Sequence, residues 1–355
     1  MGSPKSWLAV ALLLVSGPLT SAAVCKTPIV RKEWRTLTTP EKSSYIAAVQ
    51  CLLTTPSLTP PFPSSGVLSR YDDLLYTHIQ QTFSIHYVGH FLAWHRFFVA
   101  THENMLRAEC GYTGAQPYWD WTLDTPSSQF TSSPIFDPVT GFGGNGPYVA
   151  GDPGNPFAVP GRTGGGCVTD GPFAGVEDFV HLGPAASVTY NPQCLKRDFS
   201  PYFAGRYLGA NQTQATLAQG TLGGLTGRWR AGRALRRRGC MGVAIMELGG
   251  LWVRQMGDLY VSPADPIFFL HHANLDRVWW SWQKLDLTVR LTDISGPIVL
   301  MDYANEHAGN VTLDFPLTVG PSAPDVTVGD VMNIAGCGHT GSLCYQYDHV
   351  YTLLA

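Results

Sequence analysis

Apolar positions fall into helical spacing in four stretches of the chain. The first runs through Tyr45, Ile46, Val49, Leu52 and Leu53, with Thr39-Pro40-Glu41 just ahead of it. Proline's fixed φ and missing N–H do no harm in a first helical turn, so Thr39 reads as the N-cap and Pro40 as the first helical residue. This helix is expected to end between Cys51 and Leu53. A second helical pattern covers Asp72 to Gln81, and after a break near Gly89 a third runs from Phe91 to about Glu109. The fourth opens at Ser262-Pro263-Ala264-Asp265, which reads as a capping box, and extends to about Asp286.

Between these stretches the periodicity disappears. From Thr122 to Gly227 the chain turns to Gly, Pro, Ser and Asn, as in GFGGNGPYVAGDPGNPFAVPGRTGGG, and predicts irregular, loop-rich backbone. A loop of that length needs a function or a pin, and Cys167 and Cys194 offer pins. Arg228 to Arg238 carries six arginines and reads as a solvated helical face. The tail from Gly296 to Tyr351, rich in Val, Thr, Gly and Pro, predicts short strands and turns. There is no internal repeat and no linker, so the expectation is a mainly α protein with long loops and a few short strands in one domain.

Composition narrows the function. With 355 residues, 45% of them apolar, the chain can bury a large core, and a formal charge of -3 gives no reason to expect nucleic acid or an anionic membrane as partner. A small-molecule substrate is the better expectation. Residues 1–23 place Lys5 ahead of an apolar run from Trp7 to Val15 and close on small residues around Ser21 and Ala23, the pattern of a secretory signal peptide. The run is far shorter than the roughly 20 residues of a membrane span. Entry into the secretory pathway makes disulfides among the eight cysteines expected, with a pairing that spacing does not specify. The sequons at Asn211 and Asn310 agree with secretion to the medium, cell or spore wall, or vacuole.

Candidate chemistry lies in the histidines. Five of eleven fall between His78 and His102, and none between His181 and His271. On one continuous helix His86 and His95 would sit about 180° and about 13.5 Å apart and could not share an ion. A break at Gly89 changes that: with His86 on the entering loop and His78 on the preceding helix, three imidazoles converge from three directions. His102, two turns or about 10.5 Å beyond His95, reads as a residue supporting the site from behind the ligands or as a structural one, rather than as a ligand, and His90 is uncommitted.

The run from Tyr71 to Trp121, YDDLLYTHIQQTFSIHYVGHFLAWHRFFVATHENMLRAECGYTGAQPYWDW, resembles the first copper-binding region of fungal tyrosinases and catechol oxidases. SPADPIFFLHHANLDRVWWSWQ, Ser262 to Gln283, resembles the end of their second region, and Tyr345-Gln-Tyr347 resembles the tyrosine motif that closes the family's core. The resemblance implies a four-helix-bundle core in a single domain over residues 24–355, without a C-terminal shielding domain. It implies His78, His86 and His95 as metal ligands. It also implies His272, rather than His271, at the second metal, with Asp276 positioned to orient it. Ser84 stands where some members carry a cysteine linked to the second ligand, so no thioether is expected.

One departure governs the expected function. The family takes its other two second-site ligands from an HxxxH pair, but the corresponding stretch reads CMGVAIMELGGLWVRQMGDLYVSPADP. One register puts Ile245 and Gly249 at those positions and the other puts Met241 and Ile245 there, so neither supplies a histidine. What remains is a three-histidine site with an open position, suited to zinc or a lone copper. The missing ligands resemble the zinc-dependent cyclopenase branch, which removes methyl isocyanate from an epoxide-bearing benzodiazepinedione to give a quinolone. In that reading His272 or Glu247 serves as general acid or base. The alternatives are a copper oxidase of phenols, completed by an unaligned histidine such as His181 or His307, and a non-catalytic hemocyanin-like metal-binding protein.

Overall fold

The computed structural model describes residues 25–125, 127–151, 159–229, 255–336 and 343–354. The expected signal peptide, most of the arginine cluster, and Met241, Ile245, Glu247 and Gly249 lie outside them. The described helices are α1 (Thr39–Thr54), α2 (Arg70–Ile85), α3 (Phe91–Cys110), α4 (Ser127–Phe130), α5 (Pro201–Tyr207), α6 (Ala210–Leu217), α7 (Leu222–Trp229), α8 (Ile267–Gln283), α9 (Leu287–Arg290) and α10 (Val328–Val331). The mainly helical expectation holds.

Three starts and loops differ from the sequence reading. The cap of α1 is Thr38, not Thr39: Glu41 lies three residues after Thr38, and the two exchange side-chain and backbone hydrogen bonds in a capping box. At the fourth helix Ser262 caps nothing. Residues Ser262–Ala264 form a separate 3-10 turn, and the start of α8 is supported by Asp265, whose Oδ1 accepts from the Ile267 N–H at 3.2 Å. The stretch expected to be irregular up to Gly227 contains α5, α6 and most of α7. Ser200 caps α5 by accepting from the Phe203 N–H at 3.2 Å, a local signal that the surrounding glycines obscure.

The core forms where α3 packs on both α1 and α8, with α2 against α1. Every residue of α8 is buried, so this helix runs through the interior, and its polar side chains must find partners or ligands there. Its own Trp279 and Trp282, and Trp94 and Phe98 of α3, are all below 2% exposed. Among the described residues three disulfides brace the frame: Cys51–Cys110 joins the ends of α1 and α3, Cys167–Cys194 pins the long loop as expected, and Cys25–Cys344 ties the segment before strand β1 (Ile29–Arg31) to the one before strand β4 (Tyr345–Tyr347). Beside the last, β1 pairs in parallel with β4, Ile29 opposite Tyr345. A second small pair, β2 (Pro316–Leu317) and β3 (Val326–Thr327), is antiparallel. Strands β2, β3 and β4 are the short strands predicted for the tail, whereas β1 lies outside it.

Candidate metal centre

The helix break at Gly89 brings the expected trio together. His78 projects from the middle of α2, His86 is the C-cap residue of that helix, and His95 lies in the second turn of α3. One nitrogen from each lies within 4.8 Å of the other two. Ring centroids are 5.0 Å apart for His78 and His86, 5.1 Å for His86 and His95, and 5.9 Å for His78 and His95.

Backbone carbonyls set the tautomers. Nδ1 of His78 donates to the Tyr260 carbonyl, that of His86 to Thr82 and that of His95 to Phe91, each at 2.8 Å. With the proton held on Nδ1, each Nε2 presents a lone pair, and all three Nε2 atoms are buried without a hydrogen-bond partner. Three orphaned acceptors facing one another would be costly in an empty core. They are what a metal site requires, because a second hydrogen bond on the far nitrogen orients the ligating one. The residues therefore fit a metal ion. Burial lowers all three pKa values, His86 to about 4 and the others well below the usual range, and the neighbouring imidazoles lower His78 and His95 further. All three are neutral at neutral pH, the form that binds metal.

His272 lies against the trio without joining it. Its ring stacks on His95 at 4.5 Å and 13° and contacts Phe268 at 4.2 Å, and both of its nitrogens are buried without partners. Burial first, and then the facing His95, hold its pKa well below the usual range. His271 points elsewhere and packs on Trp121 at 4.9 Å.

Asp276 does not orient His272. Its carboxylate accepts from Arg96 Nε, from the Tyr345 hydroxyl at 2.5 Å and from the Tyr347 hydroxyl at 2.6 Å, with Arg31 at 3.5 Å. Spacing of one helical turn brought Asp276 near His272, but two buried arginines and two tyrosines from other elements claim the carboxylate. Arg31 in turn lies 3.5 Å over the Tyr345 ring and Arg96 3.7 Å over that of Trp279. The tyrosine motif thus closes a charged core rather than the metal centre.

The remaining described histidines supply no second ligand set. His102 bonds Gln116 Oε1 at 3.1 Å and stacks on Phe269 at 3.6 Å, the structural one of the two roles expected of it. His181 pairs with Asp72 at 2.7 Å, on the capping box that opens α2. His307 is 70% exposed beside Asp302. Among the residues that sequence reasoning missed, Phe268 is notable: it sits four residues before His272, on the same helical face, and its ring touches His78, His95 and His272.

A family model described as the common central domain of tyrosinase matches residues 68–285. The chain belongs to the tyrosinase family. Among curated relatives, a tyrosinase-like protein phomQ1 of Diaporthe leptostromiformis is 36% identical over 91% of this chain and 78% of its own length. An N-acetyl-6-hydroxytryptophan oxidase of Emericella nidulans is 34% identical over 90% of this chain and 92% of its own. Among solved structures, a polyphenol oxidase from Thermothelomyces thermophila superposes with a TM-score of 0.76 at 36% identity, over 91% of this chain and 89% of that one. Family membership gives this tyrosinase-like protein a catalytic fold and a metal cofactor, and the three-histidine cluster is where its residues fit one.

Proposed function

We propose that this tyrosinase-family protein is a single-metal, non-oxidative enzyme of secondary metabolism in which His78, His86 and His95 hold one zinc ion. The observation that carries the reading is the supply of ligands. One half-site has three imidazoles whose unpartnered Nε2 atoms face one another, while beside it, among the described residues, stands His272 alone, and the sequence has no histidine between His181 and His271. Dioxygen chemistry of the family's paired-copper kind needs two fully held ions.

When bound, zinc supplies Lewis acidity at a substrate oxygen without a redox step. The protein's own part is orientation, exclusion of water and proton transfer. Phe268, Phe91 and Trp94 wall the trio with rings and keep solvent from it. His272 stacks on His95 with both ring nitrogens lacking a hydrogen-bond partner, which makes it the first candidate to carry a proton; Glu247 is the second candidate for that role. The reaction class that fits is the cyclopenase-like elimination of methyl isocyanate from a cyclopenin-type epoxide, giving a viridicatin-type quinolone. The reading includes residues 1–23 as a removed signal peptide, 24–355 as one catalytic domain, and passage through the secretory pathway, which the three disulfides support.

A second reading, copper-dependent oxidation of a phenol, is favoured by the relatives named as oxidases. Elemental analysis of the purified protein with assays on catechol and on cyclopenin separates the two. One zinc per chain, no catechol oxidation, and loss of both zinc and cyclopenin turnover in His95→Ala are expected. Two coppers per chain with a brown catechol product would overturn the zinc reading.

A further inference from the structure

Of the three candidate ligands, His86 alone stands off the body of a helix, on the link formed by residues 86–90 between α2 and α3. Such a link has no regular hydrogen bonding to fix it, yet this one is held at Tyr87, Gly89 and His90. Tyr87 has φ of 56°, a conformation that side-chain-bearing residues rarely adopt, and its carbonyl accepts from the Met301 N–H at 3.2 Å and the Tyr303 hydroxyl at 3.4 Å. The Gly89 N–H donates to the Pro297 carbonyl at 2.8 Å. A Cβ at Gly89 would lie 2.4 Å from Val311 Cγ1 and 2.7 Å from the Gly296 carbonyl, so the link is pressed against residues 295–311.

His90 closes this arrangement. It is 3% exposed, its ring lies over Phe315 at 4.4 Å and 31°, and Nε2 donates to the Ser84 carbonyl at 2.7 Å. Nδ1 is buried without a partner, so the proton sits on Nε2. Ser84 belongs to the last turn of α2, where carbonyls have no partner within the helix. Two of those carbonyls are taken by imidazoles, Thr82 by His86 and Ser84 by His90. The bond from residue 90 back to residue 84 makes a closed loop that contains His86.

We propose that His90 is a positioning residue of the metal centre: by tying the start of α3 to the end of α2, it sets the direction in which His86 Nε2 faces His78 and His95. The proposal rests on the reading of those three residues as the metal ligands. The test titrates zinc into metal-free protein against a chromophoric chelator and records the visible spectrum of the cobalt(II) form. His90→Leu is expected to weaken zinc binding about tenfold or more, the size of effect seen when a ligand's supporting partner is lost. The cobalt spectrum should change with it. His90→Gln, whose amide N–H can still reach the Ser84 carbonyl, is expected to restore both.

Zinc binding in His90→Leu equal to the parent, or His90→Gln no better than His90→Leu, would overturn the proposal. If His90→Leu does not fold, Phe315→Leu removes the ring stacked on His90 and carries the same test: weakened zinc binding supports the clamp, and unchanged binding overturns it. His95→Ala separates the levels of the argument. Full zinc retention there removes the metal reading itself, whereas loss in His95→Ala with none in the His90 variants removes the clamp alone.

Discussion

Asp276→Asn is nearly isosteric and isolates one charge, which makes it a sharp probe of what holds this core. In the parent, the Asp276 and Glu103 carboxylates face Arg31 and Arg96, and all four side chains are at most 3% exposed. The substitution leaves two buried guanidinium groups with one carboxylate. Arg96 keeps only neutral acceptors, the Val331 and Met332 carbonyls and Gln283 Oε1, each at 2.9 Å. The Tyr345 and Tyr347 hydroxyls lose a charged acceptor, although Tyr347 also lies 2.8 Å from the Ala273 carbonyl and can turn to it. Removing one partner of a buried ion pair costs about 3–5 kcal/mol, against total stabilities of about 5–15 kcal/mol. In urea this should lower the unfolding midpoint of the metal-free protein by about 1 M or more. The measurement is circular dichroism through the transition with disulfides intact. A midpoint within error of the parent would refute the reasoning.

Two further predictions concern the frame. Burial pushes the His102 pKa down to about 3, against about 6.5 in an unfolded chain, so between these values the unfolded state binds a proton that the folded state refuses. Its contribution is therefore present above pH 6.5 and lost as pH falls toward 3; His102→Gln should flatten the fall in metal-free stability by about 1.4 kcal/mol per pH unit over pH 6 to 4, and an unchanged slope in urea titrations would count against this. Cys51 and Cys110 are 59 residues apart, and replacing both with serine should lower stability by about 4 kcal/mol on chain-entropy grounds. Because that bridge lies at the far ends of α1 and α3, zinc binding at low temperature should persist in the variant.

Much of the metal centre was open to reading because its determinants are short in sequence. The apolar period located α1, α2, α3 and α8, and Gly89 marked the break that lets His86 and His95 meet. Even two of the tautomers are local: His86 and His95 each bond the carbonyl four residues before them, Thr82 and Phe91, a distance set by helix geometry. Only tertiary structure could decide the rest. The carbonyl that sets His78 belongs to Tyr260, 182 residues away, and the side chains that claim Asp276 come from α3, β1 and β4. Spacing says which residues share a helical face, but which partner a buried charge takes depends on what the rest of the chain packs against that face. Hydrogen bonds within one turn are fixed by backbone geometry. Those between distant segments follow from packing that no local pattern encodes.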